Sequence, residues 1–175
     1  MTKEVIFSGY EKQGMAIASI ILSNAVIIDG YNAVQYQSHG LEARKGTSKA
    51  EVIISDEFIY YPRVTKPNMV FALSKDAYNI YKYKLPEGSI LITDSTFIKK
   101  TNTANHYYIP ITRKAEELLN DTIYSSLVAL GIFVGITKKI KINSIEEAIA
   151  SDVTTEGKFK AFALGLKLSK KINNI

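Results

Sequence analysis

A chain of 175 residues, 46% hydrophobic and 22% charged, has the length and composition of one globular domain with a real core. It contains no cysteine. Structural disulfides, thiolate zinc sites, a cysteine nucleophile and a cysteine-ligated iron–sulfur cluster within the chain are thereby excluded. The net charge of +5 is uneven, because from Lys138 onward eight lysines face only Glu146, Glu147, Asp152 and Glu156. Such a balance suits a solvated helix face, or attraction to nucleic acid, acidic proteins or phosphorylated ligands. No apolar run reaches the length of a membrane span, and Met1-Thr2-Lys3-Glu4 lacks the apolar core of a signal peptide. The expected location is cytoplasmic.

Glu4–Ser8 reads as a buried strand, followed by the loop Gly9-Tyr10-Glu11-Lys12-Gln13-Gly14. Met15–Ile28 is apolar apart from a thin stripe with Ser19 and Ser23 four residues apart, the pattern of a helix buried on most sides. Gly30 is its natural stop. A strand, a glycine loop and a helix open many nucleotide-binding α/β folds, in which the helix N-terminus offers amides to an anion. The dinucleotide fingerprint needs more glycines than Gly9 and Gly14, and Glu11 would repel a phosphate.

Two strand-like runs follow, Asn32–Gln37 and Ala50–Ser55, then Pro62 and Pro67, which break any longer strand. Asn68–Ser74 predicts another buried strand, Lys75–Tyr83 a helix and Ser89–Thr93 a further strand ending in Asp94-Ser95. That pair either caps a turn or marks a functional sheet edge. Lys99–Asn105 is a polar loop and Tyr107–Ile111 a short strand. Thr112 is the expected N-cap of a short helix through Leu119. Tyr124–Thr137 is a second apolar helix, with Gly131 and Gly135 as a small face for close helix approach. Ser144 and Glu147 form an expected capping box. Thr155–Lys171 is amphipathic, with Phe159, Phe162 and Leu166 on one face and Lys158, Lys160, Lys167 and Lys170 elsewhere.

The stretch from Gln37 to Lys49 is too long for a tight hairpin turn. It holds Ser38, His39, Gly40, Glu42, Arg44, Lys45 and Gly46. Loops held by rigid strands often carry function. Gly40 and Gly46 permit close approach of a partner. Arg44 has the planar fork that clamps a carboxylate or phosphate, Glu42 could orient it, and Lys45 could help. His39 suits a proton shuttle or a ligand contact, or is simply a surface histidine. The whole stretch also reads as a solvated loop whose charges pair with one another.

Ser38-His39-Gly40-Leu41-Glu42-Ala43-Arg44-Lys45-Gly46, followed by Ser48 and the strand from Glu51, resembles the gamma subunits of 2-oxoacid:ferredoxin oxidoreductases. In that family a tyrosine commonly stands at the position of His39 and a glycine at that of Lys45. Gly9, Gln13 and Gly14 match the family's first glycine loop, while Glu11 and Lys12 replace its paired glycines. Pro67–Leu73, Ile109–Leu119, Leu127–Gly131 and Lys160-Ala161-Phe162 with Gly165 resemble later family segments. The resemblance implies one Rossmann-like three-layer α/β domain over residues 1–175, a central β-sheet flanked by helices.

The same resemblance implies the role. The chain would act as a subunit, inactive alone, of a complex that decarboxylates pyruvate, 2-oxoglutarate or a related 2-oxoacid and passes electrons to ferredoxin in anaerobic metabolism. Thiamine diphosphate and iron–sulfur clusters would lie in the partners, namely catalytic alpha and beta subunits and a delta-type iron–sulfur subunit. Coenzyme A would be co-substrate. Ligand or subunit contacts would fall on Gly9, Lys12, Gln13, Gly14, Ser38, His39, Gly40, Glu42, Arg44, Lys45 and Gly46.

The residues themselves offer no catalytic set. With His39 and His106 the only histidines, a multi-histidine metal site is excluded. Three other readings stay open: a stand-alone nucleotide-binding domain using Gly9–Gly14, a nucleic-acid binder using the lysine-rich end, and a degenerate gamma-like protein. Eleven tyrosines suit interfaces as well as strands and cores, and a homodimer is left open.

Overall fold

The computed structural model describes residues 2–38, 47–151 and 155–172. Its elements are β1 (Thr2–Tyr10), α1 (Met15–Ile28), β2 (Asn32–Ser38), β3 (Thr47–Ser55), β4 (Met69–Ala72), α2 (Lys75–Tyr81), β5 (Ile90–Asp94), β6 (His106–Ile109), α3 (Ile111–Leu119), α4 (Ser125–Thr137), α5 (Ile142–Ala150) and α6 (Glu156–Ser169). The strands form one mixed sheet in the order β2-β3-β1-β4-β5-β6. β1, β4, β5 and β6 run parallel, and β3 is antiparallel to both β1 and β2.

The alternation of side chains along the strands separates the two faces. Val5, Phe7, Ala50, Val52, Ile54, Phe71 and Ile92 point to the face covered by α1, α3, α4, α5 and α6, where most of the core lies. Ile6, Val70, Ala72 and Leu91 point the other way, toward the short helix α2. The thick layer closes tightly. A Cβ on Gly131 of α4 would lie 2.8 Å from the Gly165 Cα of α6 and 2.9 Å from the Leu166 nitrogen. The two backbones therefore touch, as the Gly131–Gly135 face predicts, and Gly165 completes the contact from the other helix.

Three local expectations are corrected. Thr112 is not the cap of α3, which begins at Ile111. The Asp94 carboxylate instead accepts from the Thr112 amide at 2.8 Å and the Thr96 amide at 2.9 Å, so Asp94 serves as a cap. Ser144 lies inside α5, not before it. Its hydroxyl donates to Asp29 Oδ1 at 2.5 Å, and the Lys141 amide donates to Asp29 Oδ2 at 2.8 Å, tying the end of α1 to the start of α5. Burial alone would raise the Asp29 pKa, but these bonds and the Lys141 ammonium hold it below its ordinary value. Lys158 is buried on α6, not solvated. Phe162 is buried as expected, with Phe159 and Leu166 partly buried against the core.

Candidate functional site

Register brings the strand ends that flank the second glycine stretch close to the first glycine turn. Tyr10, at the carboxyl end of β1, lies opposite Thr47, where β3 begins. Ser38, the last residue of β2, lies opposite Lys49. The strands that bracket the 39–46 stretch therefore start and stop beside the Gly9–Gly14 turn. His39, Gly40, Glu42, Arg44, Lys45 and Gly46 themselves lie outside the described residues.

The turn is built around Gln13. Its side chain is fully buried, with Oε1 accepting from the Tyr10 amide at 2.6 Å. Nε2 donates to the Leu73 carbonyl at 3.0 Å and to Thr112 Oγ1 at 2.7 Å. Gln13 thus joins the ends of β1 and β4 to the start of α3. Gly9 is bare because a Cβ there would overlap the Gln13 amide and lie 2.9 Å from the Leu73 Cβ. Gly14 adopts φ of +75° against the Ile123 carbonyl, and its own carbonyl accepts from Ser126 Oγ at 2.7 Å. Lys12 and Glu11 are exposed on the outside of the turn. The structure thus gives Gly9, Gln13 and Gly14 an architectural task and leaves Lys12 facing solvent.

The neighbouring loops bring further cations to this edge. The Tyr10 ring meets Phe97 edge to face at 5.6 Å, placing the β5–β6 loop beside the first turn. Lys75, Tyr78, Phe97 and Lys99 help line a shallow depression of about 350 Å³. Lys75 and Lys99 are exposed there. Sequence reading did not single them out; their positions just after β4 and β5, on the carboxyl side of parallel strands, are the available signal.

On the α2 face, one cross-sheet row reads Ser38, Lys49, Ser8, Ala72, Thr93, Tyr108. The Ser8 and Thr93 hydroxyls are buried without a hydrogen-bond partner among the described residues. One step away, buried Glu51 receives Arg63 Nε at 3.0 Å, Lys49 Nζ at 2.9 Å and the Val64 amide at 3.3 Å. Arg63 also stacks over the Tyr36 ring at 3.8 Å. Burial would push the Glu51 carboxyl up, but the bonds from Arg63 and Lys49 hold it below the usual glutamate value. This cluster fastens residues 56–67 to the base of the β2–β3 hairpin. Among the described residues, no group of three or more His, Asp or Glu side chains could hold a metal ion.

The family model for pyruvate ferredoxin/flavodoxin oxidoreductase matches residues 4–168. The chain belongs to this family. A 2-oxoglutarate synthase subunit KorC from Methanocaldococcus jannaschii is 37% identical over 98% of this chain and 96% of its own length. The solved gamma subunit of a keto/oxoacid ferredoxin oxidoreductase from Geobacter sulfurreducens superposes with a TM-score of 0.83 at 34% identity, over 97% of this chain and 99% of that one. Among pyruvate ferredoxin/flavodoxin oxidoreductase proteins, then, this chain is of the gamma-subunit type, and the stand-alone nucleotide and nucleic-acid readings find no support. The same fold recurs in 31% of a 2-oxoglutarate:ferredoxin oxidoreductase chain from Magnetococcus marinus, solved with 2-oxoglutarate, coenzyme A and succinyl-CoA bound. That likeness has a TM-score of 0.82 at 19% identity and speaks for the fold alone.

Proposed function

We propose that residues 1–175 act as one cytoplasmic gamma-subunit domain in a complex that converts 2-oxoglutarate, coenzyme A and two oxidised ferredoxins to succinyl-CoA, carbon dioxide, a proton and two reduced ferredoxins. What carries this reading is the end-to-end likeness to a 2-oxoglutarate synthase subunit at 37% identity. The partners would be alpha, beta and delta-type subunits, which would hold thiamine diphosphate and the iron–sulfur clusters. Thiamine diphosphate supplies an electron sink for decarboxylation when bound. This chain has no cysteine to ligate a cluster.

The chain's own contribution is a wall at the carboxyl edge. Exposed Lys12, Lys75 and Lys99 give that edge a chemistry that fits the phosphates of coenzyme A. Arg44, with Lys45 and Glu42, is the proposed contact from the hairpin, and Ser38, His39, Gly40 and Gly46 complete that stretch. Gln13, Gly9 and Gly14 keep the facing turn in shape.

The test is anaerobic recovery of the chain from its own cells. Thiamine-dependent and iron–sulfur subunits are expected to come with it, together with ferredoxin reduction dependent on 2-oxoglutarate and coenzyme A. In that complex Arg44→Ala should raise the KM for coenzyme A at least fivefold. Recovery of the chain alone would sink the subunit role, and an Arg44→Ala complex with unchanged assembly, KM and turnover would remove Arg44 from the site.

A further inference from the structure

Among the described residues the sheet ends on one side at β6, and the outer side of that strand carries main-chain groups ready for a neighbour. Successive residues of a strand point their N–H and C=O groups in opposite directions. The carbonyls of Asn105 and Ile109 face β5, accepting from the Leu91 and Ser95 amides at 2.9 Å each. Tyr108 and His106 therefore present their carbonyls, and Tyr108 its N–H, away from β5. The His106 amide is taken up by the Thr103 carbonyl at 3.3 Å. Beside this edge lies a cavity of about 450 Å³. Ile109, Leu168 and Ile172 give it a buried apolar floor, and exposed Lys100 and Lys171 stand on its rim. No acid lines it.

We propose that this edge receives an extended, acidic segment of a partner subunit as a seventh strand. The inference rests on the subunit reading above and specifies where one contact is made. An open edge is a template for any chain, and main-chain bonds supply affinity without choosing the partner. The lysines make the choice. Pairing β6 with β6 of a second copy would bring Lys100 and Lys171 against their own equivalents, whereas an acidic strand meets opposite charge. The strand's length sets the size of the occupant. A segment of about four or five residues suffices, with alternate side chains directed to the apolar floor and to the lysine rim.

The experiment uses the assembled complex. Lys100→Glu with Lys171→Glu reverses the rim charge, and Tyr108→Pro removes the outward N–H from an edge position that tolerates proline. Lys66→Glu with Lys84→Glu, at exposed positions away from the cavity, is the control. Affinity of each purified chain for the remaining subunits is measured by interferometry, and carbodiimide coupling of lysine amines to carboxylates maps the contact. At least tenfold weaker association is expected for both edge variants, none for the control, with Lys100 or Lys171 coupled to an acid of another subunit. Wild-type affinity in the folded charge-reversal variant overturns the proposal, whatever the proline variant does. Coupling only to a second copy of this chain overturns it too. If the wild-type chain meets no partner subunit at all, both readings fall; if the complex forms and the edge variants bind normally, only this one does.

Discussion

The two faces of the sheet are built on different terms. The face under five helices is apolar and close-packed: Phe7 and Phe71 stack with ring centroids 5.1 Å apart, and α4 and α6 meet backbone to backbone at Gly131 and Gly165. The face under α2 is thin. It holds a small apolar cluster, then a polar row, the Glu51 ion cluster and the exposed aromatics Phe58, Tyr60 and Tyr61. One face supplies stability by burial, while the other keeps charge and ring surface near the chain's exterior. The carboxyl edge, where the Gly9–Gly14 turn and the ends of β2 and β3 lie, therefore has a closely packed layer on one side and a thin, polar one on the other.

Removing volume from the thick face should be the most damaging change. Phe71→Ala deletes a fully buried ring in contact with Phe7, and a loss of about 3–5 kcal/mol is expected. Urea unfolding of the purified chain reads it, and a loss under about 1 kcal/mol would mean that this layer is looser than its packing suggests. Adding volume comes next. Gly131→Ala forces a methyl into the Gly165 backbone and should cost about 3 kcal/mol, near the top of the usual overpacking range. A melting temperature equal to that of the parent chain would contradict the contact between these helices.

Much of this fold was legible because it is periodic. The apolar runs of β1, β3, β4 and β5 and the long apolar stretches of α1 and α4 announce buried elements directly. The end of α1 at Gly30 and the helix-packing use of Gly131 were equally local signals. What stayed hidden is what depends on distant partners. The Gln13 side chain reaches Leu73 and Thr112, 60 and 99 residues away, so the motif is visible while its architectural task is not. Asp94 displaces Thr112 as the cap of α3 for the same reason, and Asp29 draws Ser144 into a bond across 115 residues. Likewise, the nearness of the ends of β2 and β3 to the Gly9–Gly14 turn is a fact of strand register. The spacing of the loops in sequence, with α1 and β2 between them, carries no trace of it.

The thin face gives the smaller and more conditional effect, and pH separates it from packing. Glu51 has a folded-state pKa below its ordinary value. Its bonds therefore add stability above the unfolded value of about 4.3 and lose it as pH falls through the folded value. Arg63 is 37% exposed, so solvent screens part of the pair, and the expected cost of Glu51→Gln at neutral pH is about 2 kcal/mol. Glutamine keeps the shape and removes the charge. Below the folded pKa the parent glutamate is neutral as well, so the two chains should converge in acid. Urea midpoints at pH 7 and near the acid limit of folding check this. A difference that stays constant with pH would assign the effect to lost geometry, and the cluster would then hold residues 56–67 by fit and not by charge. A difference that closes in acid makes Glu51 an electrostatic anchor for Lys49, whose backbone pairs with Ser38 at the base of the candidate hairpin.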